Sequence, residues 1–178
     1  MERQYGMPDL KESFTKLAES IRASEKRTHA GFVVRLTSIL EYDLERAIKW
    51  KLRPLNKEMK KRLFDSYGPL STFAAKIDIA YALDITTDAI HKELNTMRRI
   101  RNAFAHTKDS LSLDEEPIKT LFYELKRPPG ITGTYLQQFV ACGGMLDDYL
   151  EGFLFRVGER ENLRMVDQKP LNVAEDAK

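Results

Sequence analysis

The chain has a single cysteine, Cys142, among 178 residues. That excludes an internal disulfide and a cluster of thiolate metal ligands, and it fits a reducing compartment. Nine glycines and seven prolines are too few for a collagen-like or low-complexity chain. No stretch approaches the ~20 consecutive apolar residues that a bilayer-spanning helix needs, so no membrane partner is expected. The opening segment, MERQYGMPDLKES, has no apolar core of the kind a secretory signal carries, and a cytoplasmic location is the expectation. Metal-ligand spacing is missing as well. His29 and His91 form no His-x-x-x-His or Cys/His pair, so neither a metal nor any other cofactor is expected. There is no glycine-rich phosphate loop following a strand and no serine elbow.

What is present is enough for one core. Apolar residues make up 42% of the chain and charged residues 31%, a balance typical of a globular domain. The apolar spacing is helical almost throughout. Leu10, Phe14, Leu17 and Ile21 form one amphipathic stripe, and a second helix is predicted over Thr28 to Lys51, with Val33, Leu36, Leu40, Leu44 and Ala47 or Ile48 inward. Pro54 ends it. A short helix is predicted near Lys57 to Phe64, and Ser71 is the expected N-cap of the next, which would bury Phe73, Ile77, Ala80 and Tyr81. Thr86 or Thr87 would cap a helix reaching His106. A polar loop follows from Thr107 to Pro117, then a brief helix over Ile118 to Leu125. The last helix is predicted over Gly133 to Val157, with Gly143-Gly144 marking a close helix contact or a kink. These readings give an all-α, up-and-down bundle of about six to seven helices in a single domain, residues 1–158, with a polar tail over residues 159–178.

Net charge is only +2, yet the charge is unevenly spread. From Arg46 to Arg62 (RAIKWKLRPLNKEMKKR) the one acid is Glu58. Such a run is either a solvated face or a phosphate-binding surface. On the second reading the candidates are Lys49, Lys51, Arg53, Lys57, Lys60, Lys61 and Arg62, joined by Arg98 and Arg99. Trp50 would either pack beneath the helix end or stack on a base.

The helical pattern breaks in two places. Ile90, Leu94, Met97, Arg101 and Phe104 follow at spacings of four, three, four and three, which puts a guanidinium where an apolar side chain is expected. In Val33, Leu36, Leu40, Asp43 and Ala47 an acid stands at a stripe position. An isolated buried charge is costly, so Asp43 and Arg101 are expected to form an ion pair or to line one polar cavity. If they pair, Arg101→Ala costs about 3–5 kcal/mol. Alternatively Arg101 serves a site. Asn102 and His106, four residues apart, share a helical face beside it. Together they offer a fixed positive charge, an amide and an imidazole that titrates near neutral pH, a set suited to a phosphodiester.

The segments GPLSTFAAKIDIAYALDI, HKELNTMRRIRNAFAH and SLSLDEEPI resemble the bacterial mannitol operon repressor family. The similarity is densest from Gly68 to Pro117 and looser over Ala30 to Leu52. Ser71, Phe73, Lys76, Ile77, Ala80, Tyr81, Ala82, Leu83, Arg98, Ile100, Arg101, Asn102, Phe104, Ala105 and His106 match its habitual pattern. Asp84 departs from it, standing where relatives carry glycine. Aspartate tolerates a left-handed helix cap, so the turn is expected to survive. The resemblance implies an all-helical transcriptional regulator. No pair of helices here has the glycine turn and basic second helix of a DNA reader, since the helix after Thr87 opens with Asp88 and Glu93. Repression would then work through a protein partner, with the chain as a homodimer.

Arg101-Asn102-Ala103-Phe104-Ala105-His106 also resembles the Arg-x4-6-His motif of the HEPN superfamily (higher eukaryotes and prokaryotes nucleotide-binding). That resemblance implies a metal-independent ribonuclease, often a toxin. Arg101, Asn102 and His106 would be its catalytic residues and RNA its partner. Many members of that superfamily bind or scaffold without cleaving.

Overall fold

The computed structural model describes the backbone of residues 10–106 and 111–167, and the side chains of residues 28–105 and 111–158. Among the described residues there are six helices and no strand. They are α1 (Leu10–Lys51), α2 (Lys57–Phe64), α3 (Phe73–Ala82), α4 (Asp88–His106), α5 (Ile118–Glu124) and α6 (Tyr135–Asp167). The chain is an all-α helical bundle. No described helix is long and apolar enough to cross a membrane.

Local chemistry explains most helix ends. Lys49 and Lys51 lie in the last turn of α1, where cations complement the helix dipole, and Pro54 forbids continuation. Asn56 caps α2 by accepting the Met59 N–H at 2.8 Å. The cap of α3 is Thr72 rather than the expected Ser71, because the Thr72 hydroxyl is the one that accepts the Ala75 N–H, at 3.2 Å. Asp84 adopts the left-handed conformation, φ 53°, directly after the Leu83 cap, and Ile85 N–H returns to the Ala80 carbonyl at 2.9 Å. Thr87 opens α4: its carbonyl accepts the His91 N–H at 2.8 Å, and its hydroxyl accepts from Ile90 at 3.4 Å.

Two helices are longer than the apolar pattern predicts. The expected separate helices over Leu10–Ile21 and Thr28–Lys51 are one, because the intervening Arg22-Ala23-Ser24-Glu25-Lys26-Arg27 contains no breaker. The inward stripe expected at Leu10, Phe14, Leu17 and Ile21 lies outside the described side chains. The expected polar tail from residue 159 begins instead as the end of α6, which runs to Asp167. Polar residues such as Glu159, Arg160 and Glu161 hide a helix from a periodicity argument without opposing it. The rest of that tail, residues 168–178, lies outside the described residues, as do residues 107–110 of the expected loop.

The chain divides into two compact units. One joins Met1–Ile39 with Lys92–Gly144, the other Leu40–His91 with Met145–Lys178. The first buries Val33, Leu94, Met97, Ile100, Leu113, Ile118, Phe122 and Phe139, with the Cys142 thiol donating weakly to the Lys126 carbonyl at 3.7 Å. His29 joins α1 to the chain before α5, its Nδ1 lying 2.9 Å from the Ser112 hydroxyl and accepting the Leu113 N–H at 3.3 Å. The Glu93 carboxylate accepts the Lys126 N–H at 2.9 Å.

The second unit buries Leu40, Leu44, Ile48, Ile77, Ala80, Ile85, Leu146 and Leu150. Tyr81, expected inward, is 42% exposed; its hydroxyl donates to Asp88 at 2.6 Å and its ring lies 4.7 Å from that of His91. Lys76 is buried in this unit between Glu41, at 3.0 Å, and Glu45, at 2.9 Å. Burial works against the ammonium, and the two carboxylates overcome it, holding the Lys76 pKa above its ordinary value.

The glycine pair of α6 separates into two roles. A Cβ on Gly143 would stand 2.7 Å from Leu36 Cγ and 2.9 Å from its Cδ1, so this glycine is the close contact between α6 and α1. Gly144 has nothing within 4 Å of its Cβ direction. Gly144→Ala should stabilise the protein by about 0.5–1 kcal/mol through helix propensity alone. Gly143→Ala should rank below it by about 1–3 kcal/mol, the usual cost of overpacking. Urea denaturation of the two variants checks the order.

Candidate functional site

Arg101 and Asn102 lie in the last two turns of α4, both half-buried. Neither side chain makes an ion pair or hydrogen bond among the described residues. The inward face of α4 consists of Glu93, Leu94, Thr96, Met97 and Ile100. At 100° per residue, Arg101 projects 100° from Ile100, between the buried Met97 and Leu94, yet it is only half-buried. The spacing is thus correct in angle, but in these last turns of α4 residues 101–104 are all only half-buried, so Arg101 is not enclosed and pairs with no described carboxylate. His106 ends α4, and its side chain lies outside the described residues.

Asp43 is inward as the spacing predicts, only 3% exposed, but its ionic partner is Arg46 at 2.9 Å and not the expected Arg101. Three residues along the same helix, Arg46 reaches the carboxylate without leaving α1. Its guanidinium also pairs with Glu151 of α6. Burial raises the pKa of Asp43, the Arg46 hydrogen bond opposes this, and a hydrogen bond and the negative charge of Asp147 add to the rise. Arg46 is held the more firmly protonated by its two carboxylates.

The basic candidates divide into engaged and free. Lys49 pairs with Glu45 and lies 4.8 Å from the centre of the Phe64 ring. Arg99 pairs with Glu124 at 2.7 Å, and Arg98 donates to Asn95 at 3.3 Å. Lys51, Arg53, Lys57, Lys60, Lys61 and Arg62 are all exposed and have no carboxylate partner among the described residues. Trp50, for which packing under the helix end was one expectation, is 44% exposed.

His29 and His91 are structural. The Nε2 of His91 meets Asp78 at 3.0 Å on the surface of the second unit. Burial pushes the Cys142 thiol up to about 11, which leaves it no nucleophilic role near neutral pH. No group of three or more His, Cys, Asp or Glu side chains that could hold a metal is found among the described residues. Sequence reasoning missed an aromatic corner in the first unit. There the Tyr123 and Tyr135 hydroxyls meet at 2.8 Å, and the Arg127 guanidinium lies 5.4 Å from the Tyr123 ring and 5.8 Å from that of Phe122. Only the order Phe122-Tyr123 followed by Arg127 hints at it.

No family model, curated protein or solved structure matches the chain.

This geometry makes two effects measurable. Arg46→Ala leaves Asp43 buried beside Asp147 without its donor and should cost about 1–3 kcal/mol, whereas Arg101→Ala should stay within about 0.5 kcal/mol of wild type. Chemical denaturation of both variants tests the contrast. Asp43 has a folded pKa above its unfolded value, so its ionised form opposes folding above that pKa, and the opposition fades as acid protonates it. Asp147→Asn should therefore raise Tm at pH 8 by a few degrees, with the gain shrinking as pH falls through the Asp43 titration; a thermal melt series reads this directly.

Proposed function

We propose that the chain is a non-catalytic helical regulator of the mannitol operon repressor type, working in the cytoplasm as a homodimer and through protein partners. The observation that carries the reading is an uncovered stripe on α1. Phe32 is 47% exposed and Ile39 41%, and with Arg35 they fall within about 60° of one helical face. Phe32 and Arg35 also border a cavity of about 400 Å³ together with Thr28 and Gly31. An aromatic ring and an arginine at a cleft, with a branched aliphatic group on the same helical face, form the composition of an interface centre. The all-α architecture and the resemblance of the Gly68 to Pro117 segment support the same reading. Sedimentation analysis at micromolar concentration should give a dimer for the wild type and a monomer for Phe32→Asp combined with Ile39→Asp. A monomeric wild type, or a variant that stays dimeric, overturns it.

One observation favours a second reading, a HEPN-like ribonuclease: Arg101 and Asn102 have no partner among the described residues to occupy them. In this reading His106 takes the proton of a ribose 2′-hydroxyl as that oxygen bonds to the adjacent phosphorus. Arg101 stabilises charge on the non-bridging oxygens, and Asn102 orients the phosphate. The bond from phosphorus to the 5′-oxygen breaks, and His106 of the partner subunit supplies the proton to that leaving oxygen. Cleavage of single-stranded RNA in EDTA by the wild type, absent in Arg101→Ala and His106→Ala and absent on DNA, establishes the nuclease. If the RNA stays intact, the regulator reading alone survives.

A further inference from the structure

The carboxylates near the end of α1 are already engaged. Asp43 and Glu151 hold Arg46, while Glu41 and Glu45 hold Lys76, Glu45 also taking Lys49. Beyond Lys49, six exposed cations follow within the next 13 residues, Lys51 to Arg62, opposed within that stretch only by Glu58. They occupy the last residues of α1, the connection through Pro54, and α2. The contact of Lys49 with the Phe64 ring holds α2 beside the end of α1, and Lys51 lies 6.0 Å from the centre of the Phe153 ring. This concentration of uncompensated positive charge fits a flexible polyanion better than one small anion.

A second observation narrows the ligand. Trp50 stands among these cations and borders an open cavity of about 400 Å³ with Leu52, Pro54, Arg46 and Lys49. An indole left 44% exposed beside a proline ring and a leucine offers an apolar slot with a flat wall. Unpaired nucleic-acid bases have accessible faces that fill such a slot, whereas a duplex keeps its bases stacked. A membrane interface also accepts an indole among cations, but it does not need the slot that Trp50 forms with Leu52 and Pro54.

We propose that the end of α1, Pro54 and α2 form a binding site for single-stranded nucleic acid, with a base stacked on Trp50 and the phosphates held by Lys51, Arg53, Lys57, Lys60, Lys61 and Arg62. The site lies wholly in the second unit, whereas Arg101 belongs to the first, and it requires neither cleavage nor dimerisation. Its recognition chemistry is shared by RNA and DNA.

Trp50 is the only tryptophan, so its fluorescence reports on this place alone. The full chain is titrated with oligouridylate and oligothymidylate dodecamers, a duplex of the same length, and phosphatidylserine vesicles. Both single strands should quench the indole. Each neutralised phosphate adds about −0.7 to the slope of log K against log salt, so six cations set a limit near −4. Trp50→Leu, followed by the anisotropy of a labelled strand, should weaken binding roughly tenfold or more and leave that slope unchanged. Lys60→Gln with Lys61→Gln should flatten the slope by about 1.4, and Arg101→Ala should alter nothing. Circular dichroism checks that each variant is folded. Absence of quenching, an unaffected Trp50→Leu variant, or equal binding to duplex or vesicles overturns the proposal.

Discussion

Three acids near the end of α1, Glu41, Asp43 and Glu45, each answer a cation within the second unit. Glu41 and Glu45 close around buried Lys76, Asp43 holds Arg46, and Glu45 also reaches Lys49. These contacts let one helix bury charge against α3, where an unpaired ammonium would cost several kcal/mol. They also decide the electrostatics of the segment from Lys51 to Arg62. With the nearby carboxylates of α1 engaged internally, the positive charges beyond Lys49 face water with only Glu58 among them. A surface that looks like a composition bias in the sequence is thus the other side of a packing arrangement.

Much of the architecture was legible because it depends on local periodicity and on residues that stop helices. The boundaries of α2 and the C-terminal end of α4 agree with the sequence reading, and so do the break at Pro54 and the left-handed turn at Asp84. What escaped was information that periodicity does not contain. The segment after Ile21 has no breaker, so α1 continues through it, and the polar end of α6 remains helical without an apolar stripe. Nothing in a single sequence announces that Leu40 onward belongs to one compact unit and the preceding turns of α1 to another.

The candidate site was legible in part for a related reason. Asp43 reads as inward because Leu40, three residues before it, and Ala47, four after it, are apolar, and it is buried. Arg101 satisfied the same rule and is only half-buried, since angular position does not say how far the core covers the last turns of a helix, where Asn102, Ala103 and Phe104 are half-buried too. The partner of Asp43 was missed because a search for a distant cation overlooked the near one: Arg46, one turn along the same helix, needs no tertiary geometry to reach it. The exposure of Trp50 was likewise undecidable from its neighbours, because an indole at a helix end packs or projects according to what the next loop covers.

The state of Cys142 has a practical consequence. Enclosed in the first unit and with its thiol titrating near 11, it holds almost no thiolate at neutral pH and presents little surface to a reagent. The native chain should therefore react slowly with maleimides without any engineering. Cysteines introduced at two exposed positions would carry labels at those positions, and the distance between them could be followed in solution on an otherwise unaltered sequence.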